Sequence, residues 1–420
     1  MSFSLSCWAP VFPLPVFLLL CLPLPAASRT VTVEECLSRV AERSPELKAG
    51  AYKTEAAVNR AKQASRPINP RLSTEVENVG GSGDNENFQS AETTVALSQE
   101  IELGGKRRYR TAVAESETAC SRAEQAVRLQ ALLFETRRAA LVVLSAQEKV
   151  RLAAEALTLI RETEEIARAR EKAGKSTVLE TERTSTETAK AEIEWEARQA
   201  EQRDALRDLA LCWGETDPSF DAVAGALDAP PAALPPLDTL LTQATLNPDL
   251  LSVDAQARTF AARIDAERSA RVPNLELSAG MRRFEESDGF ALVAGVSVEL
   301  PLFTRTLAGV HAAEADAEAA RLEAVATRLK YESRIRQLYA RMTTLAARNV
   351  RLKGAVVPVS ERALDLVRQA HKQGKVGYLD VLEARRTLME ARFSLIEIVT
   401  EYRGLEIELG RLTSGTSGTP

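Results

Sequence analysis

Residues 107–172 form a charged, alanine-rich run without a proline or glycine, and a comparable run covers 306–372. As α-helices, each would be about 100 Å long at roughly 1.5 Å per residue. Val113, Cys120, Val127, Phe134 and Leu141 recur every seven residues, as do Val310, Ala317, Ala324, Tyr331, Leu338, Leu345 and Leu352. Heptads of this kind specify helices packed side by side over a long distance. Gly354 and Pro358 predict a bend toward the far end of the second run, because proline removes a donor and clashes with the preceding turn.

The two runs belong to a longer repetition. "SPEL" at 44–47 recurs as "NPDL" at 247–250, "LSQEIEL" at 97–103 as "VSVELPL" at 296–302, and "GKSTVLE" at 174–180 as "GKVGYLD" at 374–380. Offsets that stay near 200 residues predict a duplicated unit, about 29–213 and 238–413, with almost no net insertion. Each unit reads as a first helix, two short strands, one very long helix and a shorter helix. The first helix starts at a capping box, Thr32 with Glu35, and runs over 32–65 with an interruption near Pro45; its counterpart covers 237–271. Residues 214–237 contain "DAPPAALPPL" and read as a surface connector, while the tail 414–420 reads as disordered.

The strands, expected at about 71–80, 93–103, 274–284 and 290–300, alternate with period two. In the first unit Leu72, Val76, Val95 and Leu97 oppose Glu75, Glu77, Glu100 and Glu102. In the second, Leu275, Leu277, Leu292 and Val296 oppose Glu276 and Glu299. Runs of about ten residues, apolar on one face and charged on the other, suit barrel strands with a lipid-facing exterior and a wet lumen. The same alternation also suits a half-buried sheet in a soluble protein. Entry of the second strand of each pair, through Gly104 and Gly105 in the first, straight into a very long helix favours the barrel. Four strands cannot close a barrel, for which about eight is the smallest useful number, so the chain must associate. Two copies of four strands give eight and a filled interior; three give twelve and room for a channel.

Residues 1–28 carry no charged side chain, and "VFPLPVFLLLCLPLPAAS" predicts a secretory signal cleaved near Ala27 or Ser28. Cys21 follows Leu20, whereas a lipid-anchor signal wants a small residue there. Beyond the signal no run is long and apolar enough for a transmembrane helix. With Lys+Arg at 54 and Asp+Glu at 59, the formal net charge of -5 leaves no electrostatic footprint for nucleic acid. Cys36, Cys120 and Cys212 are too few and too widely spaced for a disulfide framework or zinc site. His311 and His371 read as solvated helix residues. No nucleophile stands with a base and no paired acid and base is evident, so no catalysis, cofactor or resident metal is expected.

"AGKST" at 173–177 and "QGKVG" at 373–377 read as turns between long and shorter helices, with Gly174 and Gly374 as helix stops. Asp380 and Glu383 in "DVLEA" lie three apart, on one helical face, where acids also complement a helix N-terminus.

The order of elements, duplicated behind a signal, resembles the TolC-type outer-membrane channel family over about residues 30–413. "LSQEIELGGKRR", "VSVELPLFTRTLAG" and "QGKVGYLDVLEARRTL" most resemble its CzcC-like branch, the outer-membrane components of heavy-metal efflux systems. The resemblance implies a mainly α fold with a small transmembrane β-barrel: a homotrimer with one twelve-stranded barrel in outer-membrane lipid and a long periplasmic α-helical barrel. It implies a passive duct, served by a periplasmic adaptor and an inner-membrane pump of the resistance-nodulation-division type. The hairpin tips, Gly174, Lys175, Ser176 and Gly374, Lys375, Val376, would face the adaptor, and Asp380 with Glu383 would ring the periplasmic entrance. Glu180 and Arg183 stand at the equivalent positions of the first unit, so one acidic pair per protomer is expected. Val376 stands where some relatives carry an arginine that helps latch the entrance, so a latch of that kind is not expected here. A channel for organic compounds or proteins, and a periplasmic coiled coil whose strands merely cap a bundle, remain open; the period-two apolar face on all four strands separates the last from a channel.

Overall fold

The structure, a computed structural model, describes residues 29–83, 86–227, 234–300 and 307–414. The expected signal at 1–28 with Cys21, residues 228–233 of the connector, residue 306 at the start of the second long run, and the tail after Ser414 lie outside the described residues.

The chain opens with β1 (Thr30–Val31), α1 (Val33–Arg43) and α2 (Pro45–Ala64). Thr32 caps α1 by accepting from the Glu35 amide at 3.1 Å, and the Glu35 carboxylate takes the Arg39 guanidinium at 2.7 Å. The interruption expected near Pro45 divides the stretch 32–65 into two helices. Pro45 has no N–H to donate into α1 and suits only the first turn of a new helix. Ser44 therefore ends α1 and caps α2, its hydroxyl accepting from Leu47 N at 3.5 Å.

Next come β2 (Arg71–Glu77), β3 (Glu92–Ile101), α3 (Lys106–Lys172), α4 (Val178–Leu211) and β4 (Ala222–Val223). Gly104 and Gly105 both take positive φ, 68° and 76°, and join β3 to α3 within a few residues. The chain then passes through α5 (Leu237–Ala244), α6 (Pro248–Ala270), β5 (Leu275–Phe284), β6 (Gly289–Val298), α7 (Ala308–Arg351), α8 (Val357–Lys372) and α9 (Tyr378–Thr413). The helix expected over 237–271 is also divided, again just before a proline. Asn247 caps α6 from a fully buried position, accepting from Asp249 N at 2.9 Å and donating to the Arg411 carbonyl at 2.6 Å.

The expected bend near Gly354 and Pro358 takes the form of a π-helical turn, Leu352–Val356, between α7 and α8. Val357 N–H donates to the Leu352 carbonyl five residues back, and Pro358 has no donor to continue the α ladder. Nothing interrupts α3, whose 67 residues extend about 100 Å.

Strands β2, β3, β5 and β6 form one antiparallel sheet in that order. The central β3–β5 pairing joins the two halves of the chain. Strands β1 and β4 form a short parallel pair, Val31 opposite Val223. That pair sits in a core where α1 and the end of α4 meet the middle of α3, with Cys36, Val40, Leu132, Val143, Leu209, Trp213 and Phe220. A second core joins α5, α7 and α9 through Leu240, Ile335, Leu338, Met342, Tyr402 and Leu409. A third, nearer the far end, joins α3, α8 and α9 through Leu152, Leu364, Val381 and Leu388. Among the described residues, none of the three takes a side chain from the four-stranded sheet.

Asn247 holds an N-cap and an inter-helix bond without solvent to replace either. Asn247→Ala is expected to cost about 2 kcal/mol, and Ser44→Ala, with its longer cap bond, about 1 kcal/mol. Denaturant melts of both variants, followed by helical circular dichroism, check the order; equal losses would contradict it.

Candidate functional site

In an antiparallel pair, directly opposed residues share a face of the sheet. The registers Leu72↔Leu97, Val95↔Met281, Leu277↔Val296 and Met281↔Leu292 therefore gather one continuous apolar face. It contains Leu72, Val76, Val95, Leu97, Leu275, Leu277, Met281, Phe290, Leu292 and Val296. This face is turned away from the rest of the chain: Leu292 is 85% exposed, Phe290 75%, Leu72 71% and Val296 69%. The arrangement inverts an ordinary half-buried sheet, whose apolar side packs on a core.

The opposite face carries Glu75, Glu77, Glu92, Glu100, Glu276 and Arg282, and its polar groups hold one another. Arg282 bridges Glu77 at 3.0 Å and Glu92 at 2.8 Å and donates to Thr94 Oγ1 at 2.9 Å. Asn274 donates to Glu100 Oε1 at 2.5 Å and accepts from Lys106 at 2.6 Å, tying the strands to the start of α3. Ser297 donates to Glu276 at 3.2 Å. Glu102 lies past the end of β3, in the turn into α3, where Arg110 pairs with its carboxylate; Glu299 directly follows β6. Gly280 lies on this polar face where the backbone of β3 comes close: a Cβ there would stand 2.5 Å from the Val95 carbonyl oxygen.

At the far end of the helices, the two hairpin turns share one geometry. Gly174 and Gly374 take positive φ, 68° and 75°, with open space around them. Lys175 N donates to Arg170 O and Lys375 N to Ala370 O, each at 2.9 Å, the six-to-one bond of a Schellman stop. Lys175 and Lys375 are exposed, with Ser176 and Val376 half-buried beside them.

Both acids of "DVLEA" are exposed in the first turns of α9. Asp380 Oδ2 accepts from Gly377 N at 2.9 Å and so caps the helix. Its counterpart Glu180 has a different setting. Ser176 donates to Glu180 Oε2 at 2.5 Å, and Oε1 points inward toward His371 Nε2, 3.7 Å away.

His371 corrects the reading from sequence. His311 is exposed beside Glu314, but His371 is only 4% exposed, because the hairpin of α8 and α9 closes it against α3 and α4. Arg170 of α3 donates to its carbonyl at 2.8 Å. Around it lies a polar cluster that no sequence motif marks: Thr181, Thr184 and Thr188 of α4, with Tyr378 and Arg385 of α9. Among the described residues, seven of the ten buried side-chain nitrogens and oxygens without a hydrogen-bond partner belong to Arg170, Glu180, Thr181, His371, Tyr378 and Arg385. Burial pushes the Tyr378 hydroxyl up to about 12 and pulls the Arg385 guanidinium below its usual range. A hydrogen bond from Thr188 holds the Glu164 carboxyl low against its burial. The available signal was the row of threonines at helical spacing, poor helix formers that gain from a polar interior.

Residues 36–215 and 242–415 match the outer membrane efflux protein family. The chain is 29% identical over 374 residues to the cobalt-zinc-cadmium resistance protein CzcC of Cupriavidus metallidurans, covering 89% of this chain and 87% of that protein. It is 28% identical over 284 residues to the nickel and cobalt resistance protein CnrC of the same organism, covering 67% of each. Among solved structures, the fold is similar to that of CusC, with a TM-score of 0.77, 18% identity and coverage of 97% and 99% of the two chains. It is also similar to the outer membrane protein VceC of Vibrio cholerae, with a TM-score of 0.75, 19% identity and coverage of 92% and 97%.

Proposed function

The chain belongs to the outer membrane efflux protein family, and from that premise we propose that it is a passive duct carrying heavy-metal cations out across the outer membrane. The observation that carries the reading is the inverted sheet, apolar outward and hydrogen-bonded polar inward. An apolar face this large that none of the described residues covers needs a nonpolar surrounding. Lipid supplies one, provided that every backbone group in it is paired, which for strands means a closed barrel.

The duct is a homotrimer in which three four-stranded sheets close into one barrel. Leu72, Val76, Val95, Leu97, Leu275, Leu277, Leu292 and Val296 face lipid, while Glu75, Glu77, Glu100 and Glu276 face the lumen, with Glu102 and Glu299 at its helical end. The duplicated unit places two strands and one long hairpin in each half. Those hairpins form the periplasmic tunnel, and their tips, Gly174 to Ser176 and Gly374 to Val376, meet a periplasmic adaptor that couples the duct to an inner-membrane pump. The names of the relatives, resistance proteins for cobalt, zinc, cadmium and nickel, support divalent metal ions as cargo.

Asp380 and Glu383 give each protomer two exposed carboxylates near the tip, and a threefold ring of them favours cations. Asp380→Asn keeps an oxygen for the Gly377 amide while removing the charge, so it separates the ring from the cap. Asp380→Asn with Glu383→Gln is expected to lower cation over anion selectivity in single-channel recordings. Unchanged selectivity would remove these residues from the entrance.

Leu97→Lys and Val296→Lys are expected to reduce the assembled protein recovered from outer membranes, since a lipid-facing lysine costs about 2–4 kcal/mol near the bilayer midplane. Ser297→Lys, on the opposite face, is expected to assemble. Normal yields of both apolar-face variants would contradict the assigned faces.

A further inference from the structure

We propose that His371 and Glu180 form a proton-operated clasp between the two hairpin tips, closed when the imidazole is charged and released when it is neutral. The clasp rests on the proposed duct only for its consequence, not for its chemistry. His371 lies at the end of α8, just before the second hairpin turn, and Glu180 lies in the first turn of α4, just after the first. The pair therefore joins segments almost two hundred residues apart that belong to different hairpins.

The hydrogen-bond geometry fixes the tautomer. His371 Nδ1 is 3.2 Å from the Val376 carbonyl oxygen, which can only accept, so Nδ1 carries the hydrogen. In the neutral ring Nε2 then has only a lone pair, and it faces Glu180 Oε1, another acceptor, at 3.7 Å. Both atoms are buried and neither has a hydrogen-bond partner. Two acceptors turned toward each other repel. A proton on Nε2 reverses the sign: the ring becomes a donor opposite a carboxylate, and a closure of about 1 Å gives a charge-assisted bond. Imidazole is the side chain whose charge ordinarily changes between about pH 5 and 8.

The surroundings hold both partners in place. Ser176 donates to the other oxygen of Glu180, and the His371 ring is held by the Val376 carbonyl, so neither group swings away without losing a second bond; Arg170 fixes the His371 backbone through its carbonyl. The charged and titratable groups of the cluster are Arg168, Arg170 and Glu164 of α3, Glu180 and Glu187 of α4, and Arg385 with Tyr378 of α9. Tyr378 stays neutral across this range, its hydroxyl pushed up to about 12 chiefly by burial. Glu164 is already paired with Arg168, so Glu180 is the carboxylate that a proton on His371 faces directly. In the proposed duct the two hairpins line the periplasmic end, so acid tightens that end and alkali loosens it.

The test uses the full chain assembled in lipid nanodiscs, with hydrogen exchange of segments 173–182 and 369–378 followed at about pH 5.5 and pH 8 and corrected for intrinsic rates. Wild-type protection of both segments is expected to fall about tenfold toward the alkaline side, the measure of one charge-assisted hydrogen bond. Glu180→Gln and His371→Phe should abolish that dependence, and His371→Gln, which stays polar without titrating, should abolish it even if the phenylalanine disturbs folding. Wild-type protection independent of pH, or a dependence that survives Glu180→Gln, overturns the clasp. Conductance of the same preparation in planar bilayers separates the two readings. Conduction with pH-independent protection sinks the clasp alone, whereas pH-dependent protection lost in Glu180→Gln without any conduction supports the clasp and sinks the duct.

Discussion

A sheet of four strands has two open edges, and here those edges, β2 and β6, border an apolar face that none of the described residues covers. In hydrocarbon each unpaired edge amide or carbonyl costs several kcal/mol, so the sheet is stable there only if both edges find partners. One chain cannot supply them. On the proposed reading, barrel closure and subunit association are therefore a single event, and the turn at Gly104 and Gly105 carries the demand from sheet to helix by launching α3 directly from β3. The polar network of Arg282, Glu77, Glu92 and Thr94 lets the inner face keep its charges without a core above it.

Because, among the described residues, the sheet lends no side chain to the three apolar cores, cohesion of the single chain rests on the helices. The three apolar clusters lie along them at intervals, and the helix ends between and beyond carry polar work instead. Capping at Ser44, Asn247 and Asp380 sets where helices begin, and paired Schellman turns set where the hairpins reverse. The helices do not match in detail: α3 is continuous, whereas α7 and α8 are joined through a π-helical turn that accommodates Pro358. The polar cluster at the tips gives the far end a different character from the apolar packing nearer the sheet.

Much of this was legible in the sequence because it depended on local periodicity. Period-two alternation declared the strands and their faces, though β2 stops at Glu77 and Glu102 and Glu299 lie past their strand ends, and a 67-residue run without glycine or proline left little choice but one helix. The duplicate turns announced themselves through Gly174 and Gly374, whose positive φ is a local requirement. Failures came where geometry outranks pattern. Pro45 marks the interruption in 32–65, but the Ser44 cap that ends one helix and starts the next is a geometry that the pattern does not carry. His371 looked solvated because its covering residues, Glu180 and Thr181, come from a hairpin almost two hundred residues earlier, and helical periodicity within either segment does not reveal that meeting. The charge of Asp380 and its place at a helix N-terminus are legible in the sequence, and its bond to the Gly377 amide gives that place a specific capping role.

The most direct test of the central claim is the mass of the mature protein extracted from outer membranes in mild detergent and corrected for bound detergent. Three protomers per particle would accord with four strands per chain completed by association into one barrel. A monomer that fractionates with soluble periplasmic proteins would mean that the apolar face meets something other than lipid, and the duct would have to be abandoned.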